Sequence, residues 1–85
     1  MPEISRFFGI AIAICYDEGV APLFYAFSGT NQCTVNIETG AARSGFPPRA
    51  LGLVLEWRQR HVEELRRNWQ LARERRPLRA IEPLE

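Results

Sequence analysis

The chain has 85 residues and a formal net charge of +1 at pH 7, and 46% of its residues are hydrophobic. A chain of this length forms one small domain, residues 1–85, and no stretch of it is long and apolar enough to span a membrane. Its two cysteines lack the spacing of a metal site, and its single histidine leaves a metal without a second imidazole ligand. We therefore expect no metal, no cofactor, reduced cysteines and a cytoplasmic location.

Residues 1–45 predict a small antiparallel sheet of three to four strands. The first strand alternates large and small side chains, and the third alternates apolar and polar ones, as expected for strands with two different faces. Turns rich in Gly, Asp, Asn and Thr separate the strands. The strands are predicted at residues 7–16, 23–28 and 33–38, with or without a short fourth strand at 41–43.

Residues 46–76 predict one long amphipathic helix, followed by an extended tail at residues 77–85. Pro47 and Pro48 suit the first turn of this helix, and Pro77 ends it. At 100° per residue its apolar side chains fall on one side, which would cover the large-residue face of the sheet. They are Ala50, Val54, Trp57, Leu65 and Ala72, flanked by Leu51, Val62 and Trp69. The fold class is therefore α+β, in the order β-β-β-(β)-α.

Two polar residues, His61 and Asn68, interrupt the apolar stripe of this helix. A buried polar side chain needs a hydrogen-bond partner, which strand backbone or a buried water would supply. For His61 a second interpretation is open, because histidine also serves as a proton shuttle or a ligand. In the tail, Ile81 and Leu84 would attach the chain to the body.

The basic residues are all arginines, eleven in number. As contacts to RNA or the ribosome we consider Arg58, Arg66, Arg73 and Arg76. Glutamates at helical spacing argue against this, since they neutralise the charge that a phosphate backbone would need. The predicted pairs are Glu56 with Arg60, Arg60 with Glu64, and Glu63 with Arg67. A solvated, salt-paired helix face is therefore the competing interpretation.

The sheet face turned away from the helix is apolar, whereas a one-sided antiparallel sheet normally presents polar residues to water. If Phe24 and Ala26 face the helix, small side chains of the first strand and large ones of the second form a continuous patch. Such a patch is typical of an interface or a ligand site. We predict an interface at Ala11, Ala13, Cys15, Leu23, Tyr25 and Phe27. In the alternative orientation of residues 23–28, Leu23, Tyr25 and Phe27 lie in the core.

Several stretches resemble the bacterial domain-of-unknown-function family 4160 in order and spacing, over nearly the whole chain. They are residues 1–10, Phe46-Pro47-Pro48-Arg49-Ala50-Leu51, Leu53-Val54-Leu55-Glu56-Trp57, His61, Glu64-Leu65, Asn68-Trp69, Leu71-Ala72 and Ile81-Glu82-Pro83-Leu84. The resemblance implies a small cytoplasmic bacterial protein with a cognate protein partner in a toxin–antitoxin pair, acting on translation or RNA.

The chain departs from the family's pattern at one polar motif. Where the family has an acidic residue, His, any residue, Pro-Pro and then His-Phe-His, this chain reads Glu18-Gly19-Val20-Ala21-Pro22-Leu23-Phe24-Tyr25. Gly19, Leu23 and Tyr25 stand in place of the three histidines. General acid–base catalysis needs a group that titrates near the working pH, which these side chains do not supply. We therefore predict no catalytic residue; the remaining polar candidates are Tyr16, Asp17, Glu18 and His61.

These observations favour a non-catalytic or attenuated member of the family that acts by protein association through the outer sheet face. We expect a homodimer or a complex with a cognate partner, because sheet-on-sheet pairing about a two-fold axis is the simplest closed geometry. Two alternatives are an active toxin component acting on translation or RNA, and a redesigned scaffold whose sheet face was changed to form an interface or ligand site.

Overall fold

A computed structural model of the chain describes residues 1–16 and 21–84. They form a five-stranded antiparallel sheet whose strands neighbour each other in chain order, and two helices cover one of its faces. The α+β class is confirmed, while the strand and helix counts differ from the prediction. The elements are β1 (Glu3–Phe7), β2 (Ile10–Ala13), β3 (Leu23–Ser28), β4 (Asn31–Asn36), β5 (Ala42–Ser44), α1 (Pro48–Arg60) and α2 (Val62–Arg73).

The first predicted strand, residues 7–16, is wrong because a tight turn at Phe8 and Gly9 divides it. Both residues have positive φ values, 51° and 75°, as a two-residue turn between strands of normal twist requires. Phe8 is therefore 61% exposed rather than part of the large-residue face. The turn creates an additional strand, β1, which pairs with β2.

The orientation of β3 is settled by burial. Phe24 and Ala26 have no exposed surface, and the Phe24 ring meets Trp57 of α1 edge to face at 5.7 Å. The alternative in which Leu23, Tyr25 and Phe27 lie in the core is therefore wrong. The sheet and the residues that continue its strands contribute Ile4, Phe7, Ile10, Ile12, Ile14, Phe24, Ala26, Cys33, Val35 and Ile37 to the core.

The single long helix predicted at residues 46–76 is wrong, because His61 separates two helices. Its φ of −128° and ψ of 26° leave the helical region. Arginines in the last turn of α1 and glutamates in the first turn of α2 favour one helix end and one helix start at this point. The His61 ring packs on Trp57, and its Nδ1 contacts the Glu64 carboxylate. The apolar stripe continues across the break, with Val54, Trp57, Leu65 and Ala72 buried.

The tail crosses the helices and reaches the edge of β1. Ile81 and Leu84 are buried, as predicted, and the Ile81 N–H donates to the Ile4 carbonyl. Asn68 was expected to bond strand backbone or water, but its amide donates to and accepts from the backbone of Arg79 in the tail. The tail is therefore an integral covering of the core.

Candidate functional site: the outer face of the sheet

The outer face of the sheet consists of rows of side chains fixed by strand register. Because cross-strand partners in an antiparallel sheet point to the same face, each row can be followed from edge to edge. One row is Glu3, Ala13, Tyr25, Thr34 and Arg43. A second is Arg6, Ala11, Phe27 and Gln32, and in a third Leu23 lies opposite Asn36.

The centre of this face is apolar and is carried by β3. The Tyr25 and Phe27 rings are stacked, with centroids 6.2 Å apart and planes 13° from parallel. Leu23, Tyr25 and Phe27 are all half-buried. Ala13 is only 4% exposed although it is outside the core cluster, so its neighbours on this face cover it. The register therefore places these aromatic rings and the small side chain of Ala13 on the same face of the sheet.

The remaining predicted interface residues lie at the margin of this centre. Ala11 is half-buried opposite Phe27. Cys15 follows the end of β2 and is a half-buried free thiol. The assignment of all six residues to an interface stays a prediction.

A cleft of about 400 Å³ opens on the same face, toward the β5 edge. Leu23 is its contact with the apolar centre, Thr34, Asn36 and Arg43 add polar residues, and two alanines complete its wall. The lining residues are Leu23, Thr34, Asn36, Ala41, Ala42 and Arg43. The face therefore combines an apolar centre with a polar, cationic margin on one side.

The opposite margin, at the β1 edge, carries an ion pair. The Arg6 guanidinium donates two hydrogen bonds to the Glu3 carboxylate, at 2.8 and 2.9 Å. These bonds hold the pKa of Glu3 below its ordinary value, because they favour the charged carboxylate. An apolar centre inside a polar rim is the composition of a protein–protein interface.

The predicted polar site is not assembled among the described residues. The Tyr16 hydroxyl donates to the Arg76 carbonyl beyond the C-terminal end of α2, at 2.7 Å. His61 precedes the other end of α2, a helix about 18 Å long at 1.5 Å per residue. Asp17 and Glu18 lie outside the described residues. Tyr16 and His61 therefore lie at opposite ends of α2 and do not form one site.

The arginines proposed for nucleic acid are engaged with other parts of the chain. Arg58 donates to the carbonyls of Ile37 and Glu38, both at 2.9 Å, and Arg66 binds the Glu38 carboxylate with Nε and Nη2. These bonds lower the pKa of Glu38 and tie the helices to the turn after β4.

The other two arginines lie at the C-terminal end of α2 and just beyond it. Arg73 lies over the Trp69 ring, and Arg76 is 3.4 Å from Glu74. Nucleic-acid binding by these four arginines stays a prediction.

The helix-surface pairs are partly those predicted. Glu56 binds Arg60 at 2.8 Å, as expected. Glu64 contacts His61, and Glu63 contacts Arg66, so both pairs are three residues apart instead of the predicted four.

Comparison with known proteins gives one match. Residues 9–70, well over half of the chain, match the sequence profile of the family described as Domain of unknown function (DUF4160). The chain belongs to the DUF4160 family. No curated protein and no solved structure matches it. The part that matches DUF4160 begins at the β1–β2 turn and ends within α2, so it contains the apolar centre of the outer face.

The described residues lack both a membrane-spanning helix and a cluster of metal ligands. They contain no helix with the length and apolar character needed to cross a bilayer. Residues 1–16 and 21–84 also hold no cluster of three His, Cys, Asp or Glu side chains arranged for a metal ion.

Sequence reasoning missed both margins of the site in this DUF4160 member. Glu3 and Arg6 were placed ahead of the first strand, because Phe8 does not signal a turn. The sequence places Arg43 in a fourth strand that is itself left open, and it does not predict the sheet face on which the Arg43 side chain lies. The signal for the β1 margin was Gly9, which is able to occupy the left-handed region that this turn demands.

Proposed function

We propose that this DUF4160 member is a non-catalytic protein-association module whose outer sheet face binds a second copy of itself. The observation that carries the proposal is the position of β3, the middle strand of five, with Leu23, Tyr25 and Phe27 on the outer face. Polar side chains lie on β4 and β5 on one side of it and, beyond the alanines of β2, on β1 on the other. An apolar strip at the centre of a face can be buried against an identical strip, while the margins remain in contact with water.

Charge complementarity favours a second copy as the partner. A two-fold axis parallel to β3 and lying between two stacked sheets places each β3 over its counterpart. The same operation places the β1 edge of one copy over the β5 edge of the other. Glu3 then faces the partner copy's Arg43, and Ala13 faces its Thr34, because each occupies the same row. Each Glu3, which Arg6 of its own chain already pairs, therefore lies over the partner copy's Arg43, twice in one dimer.

The size of the face sets the strength of this association. Four strand spacings of about 4.8 Å and five residues of β3 at about 3.4 Å give a projected area of about 300 Å² per copy. A standard stable interface buries about 800 Å² per partner. We therefore expect a weak dimer, whose population rises with concentration.

The residues that replace the family's histidines support the proposed absence of catalysis. By the resemblance described above, Leu23 and Tyr25 occupy positions where family members have histidine, and both lie on the outer face. A leucine has no titratable proton, and tyrosine titrates near pH 10. The changes exchange general acid–base groups for apolar surface. On this proposal the protein is an attenuated member of a toxin–antitoxin-associated family that acts through association.

The test is the average molecular mass of the protein in solution, measured over a wide concentration range, because it separates monomer from dimer. Leu23→Lys with Phe27→Glu places two charges in the apolar centre and should give a monomer at every concentration. Gln59→Lys with Gln70→Glu introduces the same two charges on exposed helix surface and should dimerise like the wild type. A wild-type chain that is monomeric at millimolar concentration would refute self-association.

The same variants separate the competing functions. If a cognate protein partner uses the outer face, the doubly charged face variant should lose that partner while the helix-surface control retains it. If the chain acts on translation or RNA through its arginines, the face variant should keep the activity. Affinity for RNA should then fall steeply with salt, because phosphate contacts release counterions.

A further inference from the structure

A cleft of about 270 Å³ lies between α2 and the tail, on the helix side of the sheet. Asn68 and Ile81 are 1% and 4% exposed, so they belong to the packed interior beneath it, while the two arginines of the cleft are exposed. The lining residues are Glu64, Arg67, Asn68, Arg79, Ala80 and Ile81. The cleft is therefore a basic depression over a buried floor.

Neither arginine of this cleft is neutralised within the part of the chain that the structure describes. Helical spacing predicts that Glu63 pairs with Arg67, but the Glu63 carboxylate contacts a different arginine. The described residues provide no hydrogen bond or ion pair to the side chain of Arg67 or Arg79. Glu64 also lines the cleft, and its carboxylate contacts Nδ1 of His61. Two guanidiniums and one carboxylate leave the cleft with an excess of positive charge.

The backbone that carries the two arginines is fixed by one buried amide. Arg67 precedes Asn68 on α2. The Asn68 side chain donates to the Arg79 carbonyl at 2.8 Å and accepts from the Arg79 N–H at 2.9 Å. Because both attachment points are already ordered, only side-chain freedom is lost when the two guanidiniums close on one ligand.

The chemistry and size of the cleft favour a small anion with several oxygens. The N–H donors of a guanidinium match pairs of oxygens on a carboxylate or a phosphate. A carboxylate has two oxygens, which one arginine occupies, whereas a phosphate monoester offers three oxygens and about 1.5 to 2 negative charges at pH 7. The volume of the cleft is below the range of about 300–1,000 Å³ that drug-sized ligands occupy. A phosphate group with a small substituent therefore fits it best.

We propose that this cleft binds the phosphate group of a small phosphate monoester between Arg67 and Arg79. Both guanidiniums are exposed, so water and salt screen them and the affinity is modest. The cleft lies on the helix side, and this binding does not depend on association through the outer face. The sequence did not indicate these two arginines, because they line one cleft only once the tail lies against α2.

The test is a titration of the full chain with glycerol phosphate at about pH 7 and low salt, followed by amide chemical shifts. The amides of Arg67, Asn68 and Arg79 should shift saturably, and sulfate should compete. Arg67→Gln and Arg79→Gln should each weaken binding by about fivefold. Glu64→Gln removes a negative charge from the cleft and should strengthen it. Arg49→Gln changes an exposed arginine of α1 outside the cleft and should bind like the wild type.

Loss of binding in these variants is separable from loss of the tail, since Arg79→Gln keeps the backbone groups that bond Asn68. The proposal is overturned if millimolar glycerol phosphate gives no saturable shift, or if Arg49→Gln weakens binding as much as the cleft variants. Inorganic phosphate is titrated in parallel, and equal or tighter binding of this ion would exclude an ester as the ligand. A short single-stranded RNA that binds the same two arginines more tightly than glycerol phosphate would also overturn the proposal.

Discussion

Replacing Asn68 with alanine should detach the tail and destabilise the protein. Asn68 makes two hydrogen bonds to the backbone of Arg79 and is almost fully buried. Each bond has a net value of about 1 kcal/mol, and truncation of a buried side chain adds a packing loss. Because Arg79 is exposed, water can reach its backbone groups and limit the cost. We therefore expect a loss of about 2–3 kcal/mol in the free energy of unfolding.

Urea unfolding followed by tryptophan fluorescence measures this loss, since Trp57 itself bonds the tail. Amide hydrogen exchange at Ile81, whose N–H bonds Ile4, should become faster than at the sheet amides, because the tail detaches before the sheet unfolds. Gln70→Ala is the matched control: it removes an exposed amide that bonds Glu74. The reasoning is refuted if Asn68→Ala changes stability by less than about 0.5 kcal/mol, the range of ordinary surface substitutions.

Two further predictions concern the turns of the sheet. Because Arg66 lowers the pKa of Glu38 in the folded chain, the pair stabilises the fold fully above the unfolded pKa near 4.5. This stabilisation is lost as the pH falls through the pKa of Glu38 in the folded chain. Glu38→Gln should therefore reduce the loss of thermal stability on acidification, measured by thermal melts between about pH 2 and 7, the range over which carboxylates titrate. The same loss of stability in the variant and the wild type would contradict this. Phe8→Asn should raise stability by about 0.5–1 kcal/mol in urea unfolding, since asparagine tolerates a left-handed turn better than phenylalanine; destabilisation would show that the exposed Phe8 ring contributes packing.

The parts of the fold that periodicity controls could be predicted from sequence. Alternation in β4 and the apolar stripe through Val54, Trp57 and Leu65 gave the correct inner faces, whereas alternation in β3 left two orientations open. The outer positions of Leu23, Tyr25 and Phe27 followed from the same alternation once Phe24 was buried. A period of two or of 3.6 is a property of neighbouring residues, so it is visible in one sequence.

The errors occurred where a single residue takes an unfavoured conformation. Phe8 enters the left-handed region, and His61 leaves the helical one, although neither is a turn residue by type. The partner of Asn68 was missed because the tail lies eleven residues away in sequence and has no regular structure. Such contacts depend on tertiary packing, which local patterns do not encode.

The most direct test of the two-fold pairing is a double-mutant cycle on Glu3 and Arg43. These residues lie on opposite edges of one sheet, about 19 Å apart at 4.8 Å per strand spacing, beyond the screening length of about 8 Å at physiological salt. Within one chain their substitutions should therefore be additive.

Glu3→Gln, Arg43→Gln and the double variant are compared for dimer dissociation by sedimentation equilibrium, with Glu3→Gln and Arg49→Gln as the control cycle. Two facing pairs per dimer predict a favourable coupling energy for Glu3 with Arg43 that is above the error of the measurement, and none for the control. Additive effects of Glu3→Gln and Arg43→Gln on a measurable dimer would contradict the pairing of the outer face with itself.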